Sequence, residues 1–166
     1  TTINPDQTNI DLQIDNLTLR VPVMASAMDA VTDVNFAVSM SKLGGLAVLN
    51  LEGVQTRYAN PQEILTEITL ASDAEITPLL QKVYSEPIKE NLISERIQEI
   101  KKAGAICAVS VTPANAKCFA PISTEAKTDI FIVQSTVTSA RHISKSQRGL
   151  IFSELRQSVS VPIIVG

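Results

Sequence analysis

Five short apolar runs recur along the chain, at residues 21–26, 46–50, 105–111, 130–134 and 161–165. Runs of this length with little polar alternation predict strands buried on both faces, as in a parallel sheet. Between them the hydrophobic positions fall at helical spacing. Asp33 is placed to cap a helix that ends near Leu43 before Gly44-Gly45. Val34, Ala37 and Val38 form one stripe on it and Phe36, Met40 and Leu43 another, which predicts a helix packed on both sides. Pro61 opens a helix through Leu70, and Pro87 opens a further helical stretch. There Leu92, Ile93, Ile97 and Ile100 share one face, while the charges between Glu86 and Lys102, Arg96 among them, read as a solvated face with i, i+4 support. A last helix is expected over 149–157. Residues 1–20, with turn signals at Asn4-Pro5 and Asp15-Asn16 and alternation at Ile10, Leu12 and Ile14, predict an irregular or antiparallel lead-in.

Strands alternating with helices make parallel β/α units with right-handed crossovers. An open dinucleotide-binding sheet carries a glycine-rich turn after its first strand. Here that turn is Ser26-Ala27-Met28-Asp29-Ala30, without glycine. A complete eight-stranded β/α barrel needs about 250 residues, so 166 residues with five units predict an α/β fold that is a partial TIM (β/α)8 barrel, strands one to five. Residues 1–166 are expected to be one incomplete barrel domain without an inserted module. The chain opens on Thr1-Thr2 and closes on an apolar strand and Gly166, and the expectation is a piece of a longer chain. Two uncovered strand edges would favour self-association.

Composition narrows the function classes. The chain is 45% hydrophobic, 19% charged and 4% aromatic, with no Trp, so the core must be aliphatic. A net charge of −3 argues against a nucleic-acid face, and no apolar run reaches the length of a membrane helix. Two cysteines, Cys107 and Cys118, are too few for a disulfide framework, and a reducing, cytoplasmic setting is expected. The lone histidine, His142, reads as a loop residue. One histidine makes no metal site, and no metal is assigned.

Pro22-Val23-Met24-Ala25-Ser26-Ala27-Met28-Asp29-Ala30-Val31 resembles the first-strand motif of the IMP dehydrogenase/GMP reductase family. Leu43 to Gly53, with Asn50-Leu51-Glu52-Gly53, followed by Thr56-Arg57-Tyr58, is similar to the IMP dehydrogenase-related branch. Tyr84-Ser85-Glu86-Pro87-Ile88-Lys89, Arg96-Ile97-Gln98-Glu99-Ile100 and Phe131-Ile132-Val133-Gln134-Ser135-Thr136-Val137 continue the match in order. The resemblance implies a purine-nucleotide oxidoreductase acting on GMP or IMP with NADPH or NAD, and a homo-oligomer. It also implies that the nucleophilic cysteine stands on a loop after the sixth strand, beyond Gly166, so no catalytic residue is assigned within the chain.

The resemblance implies substrate-binding roles for Ser26 and Met28, with Met28 packing on the base. It implies cofactor-binding roles for Gln134, Ser135 and Thr136. Gln134 stands where the family usually has Asp, and an amide brings hydrogen bonds without negative charge. Asp29, between strand and helix, reads as a cap. Asn50, Glu52 and Arg57 follow the second strand on the same end of the sheet; Arg57 and Tyr58 fit either an oligomer contact or the cofactor entrance. Cys107 reads as a small buried hydrophobe and Cys118 as a helical residue, neither placed as a nucleophile. The interval from Asn50 to Ala105 is too short for the regulatory module of regulated IMP dehydrogenases, which favours reduction of GMP to IMP with NADPH. The alternatives are NAD-dependent oxidation of IMP, an FMN-dependent barrel oxidoreductase, and a truncated, non-catalytic barrel piece.

Overall fold

The computed structural model describes residues 4–135 and 149–166. A short antiparallel hairpin comes first, β1 (Leu12–Ile14) paired with β2 (Leu17–Leu19). Its two-residue turn is Asp15-Asn16, and Asp15 adopts a positive φ of 53°, a conformation Asp and Asn tolerate best after glycine. Five parallel strands follow, β3 (Met24–Ala25), β4 (Leu46–Asn50), β5 (Ala108–Val111), β6 (Ile130–Val133) and β7 (Ile163–Val165). They lie side by side in chain order, each paired with the next. That order is the one expected of consecutive barrel strands and not of a doubly wound sheet.

Helices occupy the connections: α1 (Val34–Lys42), α2 (Val54–Arg57), α3 (Pro61–Leu70), α4 (Ile76–Ser85), α5 (Glu90–Lys102), α6 (Ala116–Glu125) and α7 (Phe152–Ser158). Asp33 caps α1 as expected, its Oδ1 accepting from Phe36 N at 2.7 Å. Gly44, at φ 91°, turns the chain out of that helix. None of these helices is long and apolar enough to cross a membrane.

Side chains alternate across the sheet, as the period of two demands. Ala47, Leu49, Val109, Val111, Phe131 and Val133 pack outward against the helices, with Ile93, Ile97 and Ile100 of α5. Leu46, Val48, Ala108, Ile130 and Ile132 face the other way, and Leu17 and Leu19 of the hairpin pack on them. Leu46, Ala108 and Ile130 are the first residues of their strands, so the hairpin covers the N-terminal end of the half-barrel. The C-terminal end is left for the site.

Several expectations are corrected. The run 21–26 pairs only at Met24 and Ala25, and Val23 and Met24 are half exposed, because β3 is an edge of the sheet and not a central strand. The runs at 105–111 and 161–165 pair only over their last four and three residues. Helix α1 is covered on one side only. Ala37 is buried, whereas Phe36 and Leu43 face outward. Pro87 lies in the turn before α5, and α4 was not anticipated, although Ile76, Leu79, Leu80 and Val83 follow the i, i+3, i+4, i+7 rule. Arg96 is not on a solvated face. It is buried, donating from Nε to Gln55 O at 3.2 Å and from Nη2 to Ala59 O at 2.8 Å, while Nη1 pairs with Glu99.

Candidate functional site

The C-terminal strand ends frame two adjoining cavities. The larger, of about 320 Å³, has Met24, Ala25, Ala27, Val48, Ile132 and Ile164 as apolar walls, with Ser26, Gln134 and Ser135 as polar groups and Gly166 at its edge. The second, of about 240 Å³, shares Ala27, Gln134 and Ser135 and adds Asn50, Glu52, Ser110, Val111 and Thr112. A largely apolar hollow with a few convergent polar groups suits a flat heteroaromatic ring, and the polar neighbour suits hydroxyl-bearing groups.

Identifiable contacts place these residues. Gln134 follows β6, its N–H donating to Val111 O at 2.9 Å, and its Oε1 accepts from Ser110 Oγ at 3.3 Å. Ser26 follows β3, and its carbonyl accepts from Met28 N and from Thr32 Oγ1, both at 2.9 Å. Glu52 bridges two connections, accepting from Thr112 N, Thr112 Oγ1 and Asn115 Nδ2. Its own N–H donates to Asn50 Oδ1 at 3.0 Å. The carboxylate is thereby turned toward the start of α6.

Ser26, Gln134 and Ser135, expected from the sequence, therefore meet at one cavity. Met28 does not line it: its side chain is 55% exposed on the loop beyond Ser26. Thr136 and His142 lie outside the described residues. Glu52, Thr112 and Asn115 form a polar cluster that sequence reasoning had not assembled; the available signal was a Glu just past one strand end and a Thr just past the next.

Arg57 and Tyr58 are spent within the chain. Arg57 donates from Nε to Glu52 O at 3.1 Å and from Nη1 to Glu86 O, and its guanidinium lies over the Tyr84 ring at 5.9 Å. Tyr58 donates its hydroxyl to Val83 O at 3.1 Å, and Thr56 donates to Leu51 O at 2.8 Å. Asp29 is a cap, but not of the helix next to it. Its Oδ2 accepts from Val54 N, the first N–H of α2, at 2.9 Å, and from Tyr84 OH at 2.7 Å.

A model of the IMP dehydrogenase / GMP reductase domain matches residues 1–166. The chain belongs to the IMP dehydrogenase/GMP reductase family. A crystal structure of an IMP dehydrogenase/GMP reductase-like protein from Corynebacterium glutamicum superposes with a TM-score of 0.91 at 31% identity, over 100% of this chain and 44% of that one. An uncharacterised oxidoreductase of Mycolicibacterium smegmatis is 31% identical over 159 residues, covering 93% of this chain and 42% of the relative. An inosine-5′-monophosphate dehydrogenase of Rhizobium tropici is 33% identical over 88 residues, 47% of this chain and 18% of that protein. The chain thus spans less than half the length of these relatives.

Neither cysteine of this family member faces the cavities. Cys107 is fully buried ahead of β5, at the opposite end of the sheet, and burial pushes its thiol up to about 12. Cys118 is exposed on α6. Since the thiolate is the reactive form, alkylation of the native chain near neutral pH is expected to modify Cys118 alone, and both thiols after unfolding in urea. Mass spectrometry of the labelled protein checks this; label on native Cys107 would contradict it.

Proposed function

We propose that the protein carrying this chain is a purine-nucleotide oxidoreductase that reduces GMP to IMP with NADPH. The observation that carries the reading is that Ser26, Gln134 and Ser135 converge on one largely apolar cavity at the C-terminal strand ends, where β/α barrels place their sites. Helices α2 to α5 occupy the interval between β4 and β5, which supports a reading without a regulatory module there and with it the reductive direction. The reaction balances as GMP, NADPH and two protons giving IMP, ammonium and NADP⁺. The nicotinamide, when bound, supplies the hydride that ends on the purine C2 carbon.

The residues of this chain bind and orient. Ser26 offers a hydroxyl to the nucleotide, and Met28, exposed on the loop beyond the cavity wall, an apolar surface to a base that extends past that wall. Gln134 and Ser135 would hold the cofactor ribose through hydrogen bonds. Gln134 is neutral, so position 134 adds no charge against a 2′-phosphate, while the Glu52 carboxylate, held by Thr112 and Asn115, is an anion lining the same cavity. The protein is proposed to act as a homo-oligomer.

A second reading, oxidation of IMP with NAD, is favoured by the relatives that carry the name inosine-5′-monophosphate dehydrogenase. Two assays on the full-length protein separate them. The expected result is loss of NADPH absorbance that depends on GMP. Reduction of NAD with IMP and no reaction with GMP would reverse the direction. A yellow protein with tightly held flavin would overturn both readings.

A further inference from the structure

Asp29 is placed in an unusual way for a cap. The residue ahead of α2 is Gly53, which has no side chain to offer, and the first N–H of the helix is satisfied by a carboxylate from 25 residues earlier. Gly53 is what admits that carboxylate: a Cβ there would lie 1.8 Å from Asp29 Oδ1. A Ser, Thr or Asp at position 53 could cap α2 locally, so helix capping alone does not call for this arrangement. Oδ1 is buried with no hydrogen-bond partner among the described residues, which is costly for a carboxylate oxygen.

What the arrangement adds is a tether. Asp29 follows Met28 in the loop that carries Ser26. That loop is closed on itself by Val31 N and Thr32 N, which donate to Met28 O at 2.9 and 2.8 Å. Asp29 ties it outward to α2 and, through Tyr84, to α4. Tyr84 in turn lies under Arg57, which is anchored on the carbonyls of Glu52 and Glu86. Burial and the neighbouring carboxylate push Tyr84 up to about 12, so its proton stays on the phenol and is donated.

We propose that Asp29 and Tyr84 form a clamp that fixes the Ser26–Met28 loop at the mouth of the cavity, making Tyr84 a positioning residue for nucleotide binding. The functional half of this rests on the reading above; the structural half does not.

The test compares Tyr84→Phe with wild type in the full-length protein, with Tyr58→Phe as a control. The control removes a comparable hydroxyl bond, to Val83 O, that does not touch the loop. Amide hydrogen exchange over residues 24–33 reads the loop without turnover. In Tyr84→Phe these amides should exchange about five- to tenfold faster, the worth of one hydrogen bond, and in Tyr58→Phe at the wild-type rate. KM for the purine nucleotide should rise by a similar factor, with kcat and the cofactor KM within about twofold of wild type. Unchanged exchange in Tyr84→Phe overturns the clamp, and faster exchange with an unchanged nucleotide KM overturns the positioning role. A wild-type protein that turns over neither nucleotide defeats the functional reading, while the exchange rates still decide the clamp.

Discussion

Gly53→Ala is expected to destabilise the chain by about 3 kcal/mol, at the upper end of ordinary overpacking costs. The backbone is not the cause, since φ at Gly53 is −94° and ψ is −165°, values any residue adopts. The cost is steric. The new methyl group would lie 1.8 Å from Asp29 Oδ1 and 2.5 Å from its Cγ. The carboxylate cannot swing away without breaking its bonds to Val54 N and Tyr84 OH. A double-mutant cycle isolates this term. Asp29→Ala alone loses the cap and costs about 1 kcal/mol. In that background the same glycine substitution should cost less than about 1 kcal/mol, because the three atoms nearest the new methyl all belong to the Asp29 carboxyl group. Urea unfolding of the four proteins measures it, and equal costs in both backgrounds would show that the packing at Gly53 does not depend on Asp29.

Arg96→Ala should be at least as damaging, about 3 kcal/mol or more. The guanidinium is buried and serves two main-chain acceptors around α2, Gln55 O and Ala59 O. Truncation leaves both carbonyls short of a donor, at roughly 1–3 kcal/mol for each that water does not reach. It also empties the space of the aliphatic stem. Little of the loss comes from the ion pair, because the Glu99 side chain is nearly half exposed and surface pairs are worth about 0–1 kcal/mol. Glu99→Ala therefore serves as the contrast and should cost less than about 1 kcal/mol. Arg96→Lys should recover only part of the loss, since an ammonium lacks the planar fork that reaches two acceptors at once. Denaturant midpoints for the three variants rank them; a milder effect for Arg96→Ala than for Glu99→Ala would refute the argument.

These two sites also mark where the sequence stopped being readable. The strand order and the helices at 34–42 and 61–70 were legible because apolar runs and local caps report on neighbours in the chain. Helix α4 is legible too, through Ile76, Leu79, Leu80 and Val83, because Pro78 falls in its first turn, where a helix accepts proline. Val23 and Met24 were read as buried because an apolar run does not distinguish a central strand from an edge. Of the candidate site, Ser26, Gln134 and Ser135 were found through strand ends, which set their position along the sheet. The Glu52 cluster was not found, because Thr112 and Asn115 reach it from 60 and 63 residues away. Arg96 was placed on the wrong face for a similar reason. Periodicity assigns a charge to solvent and cannot see that α2 presents two carbonyls to it.

Four side chains around α2 anchor themselves on acceptors that belong to the main chain. Arg96 reaches Gln55 O and Ala59 O, Arg57 reaches Glu52 O and Glu86 O, Tyr58 reaches Val83 O, and Thr56 reaches Leu51 O. A carbonyl is present whatever side chain the residue bears. Drift at Ala59 or Glu86 can therefore proceed without disturbing the network, whereas drift at Arg57 or Arg96 removes two bonds at once. Mutational tolerance here should be lopsided, concentrated on the acceptor positions. Pairwise covariation would pass these bonds by, because a donor whose partner cannot change has nothing to covary with.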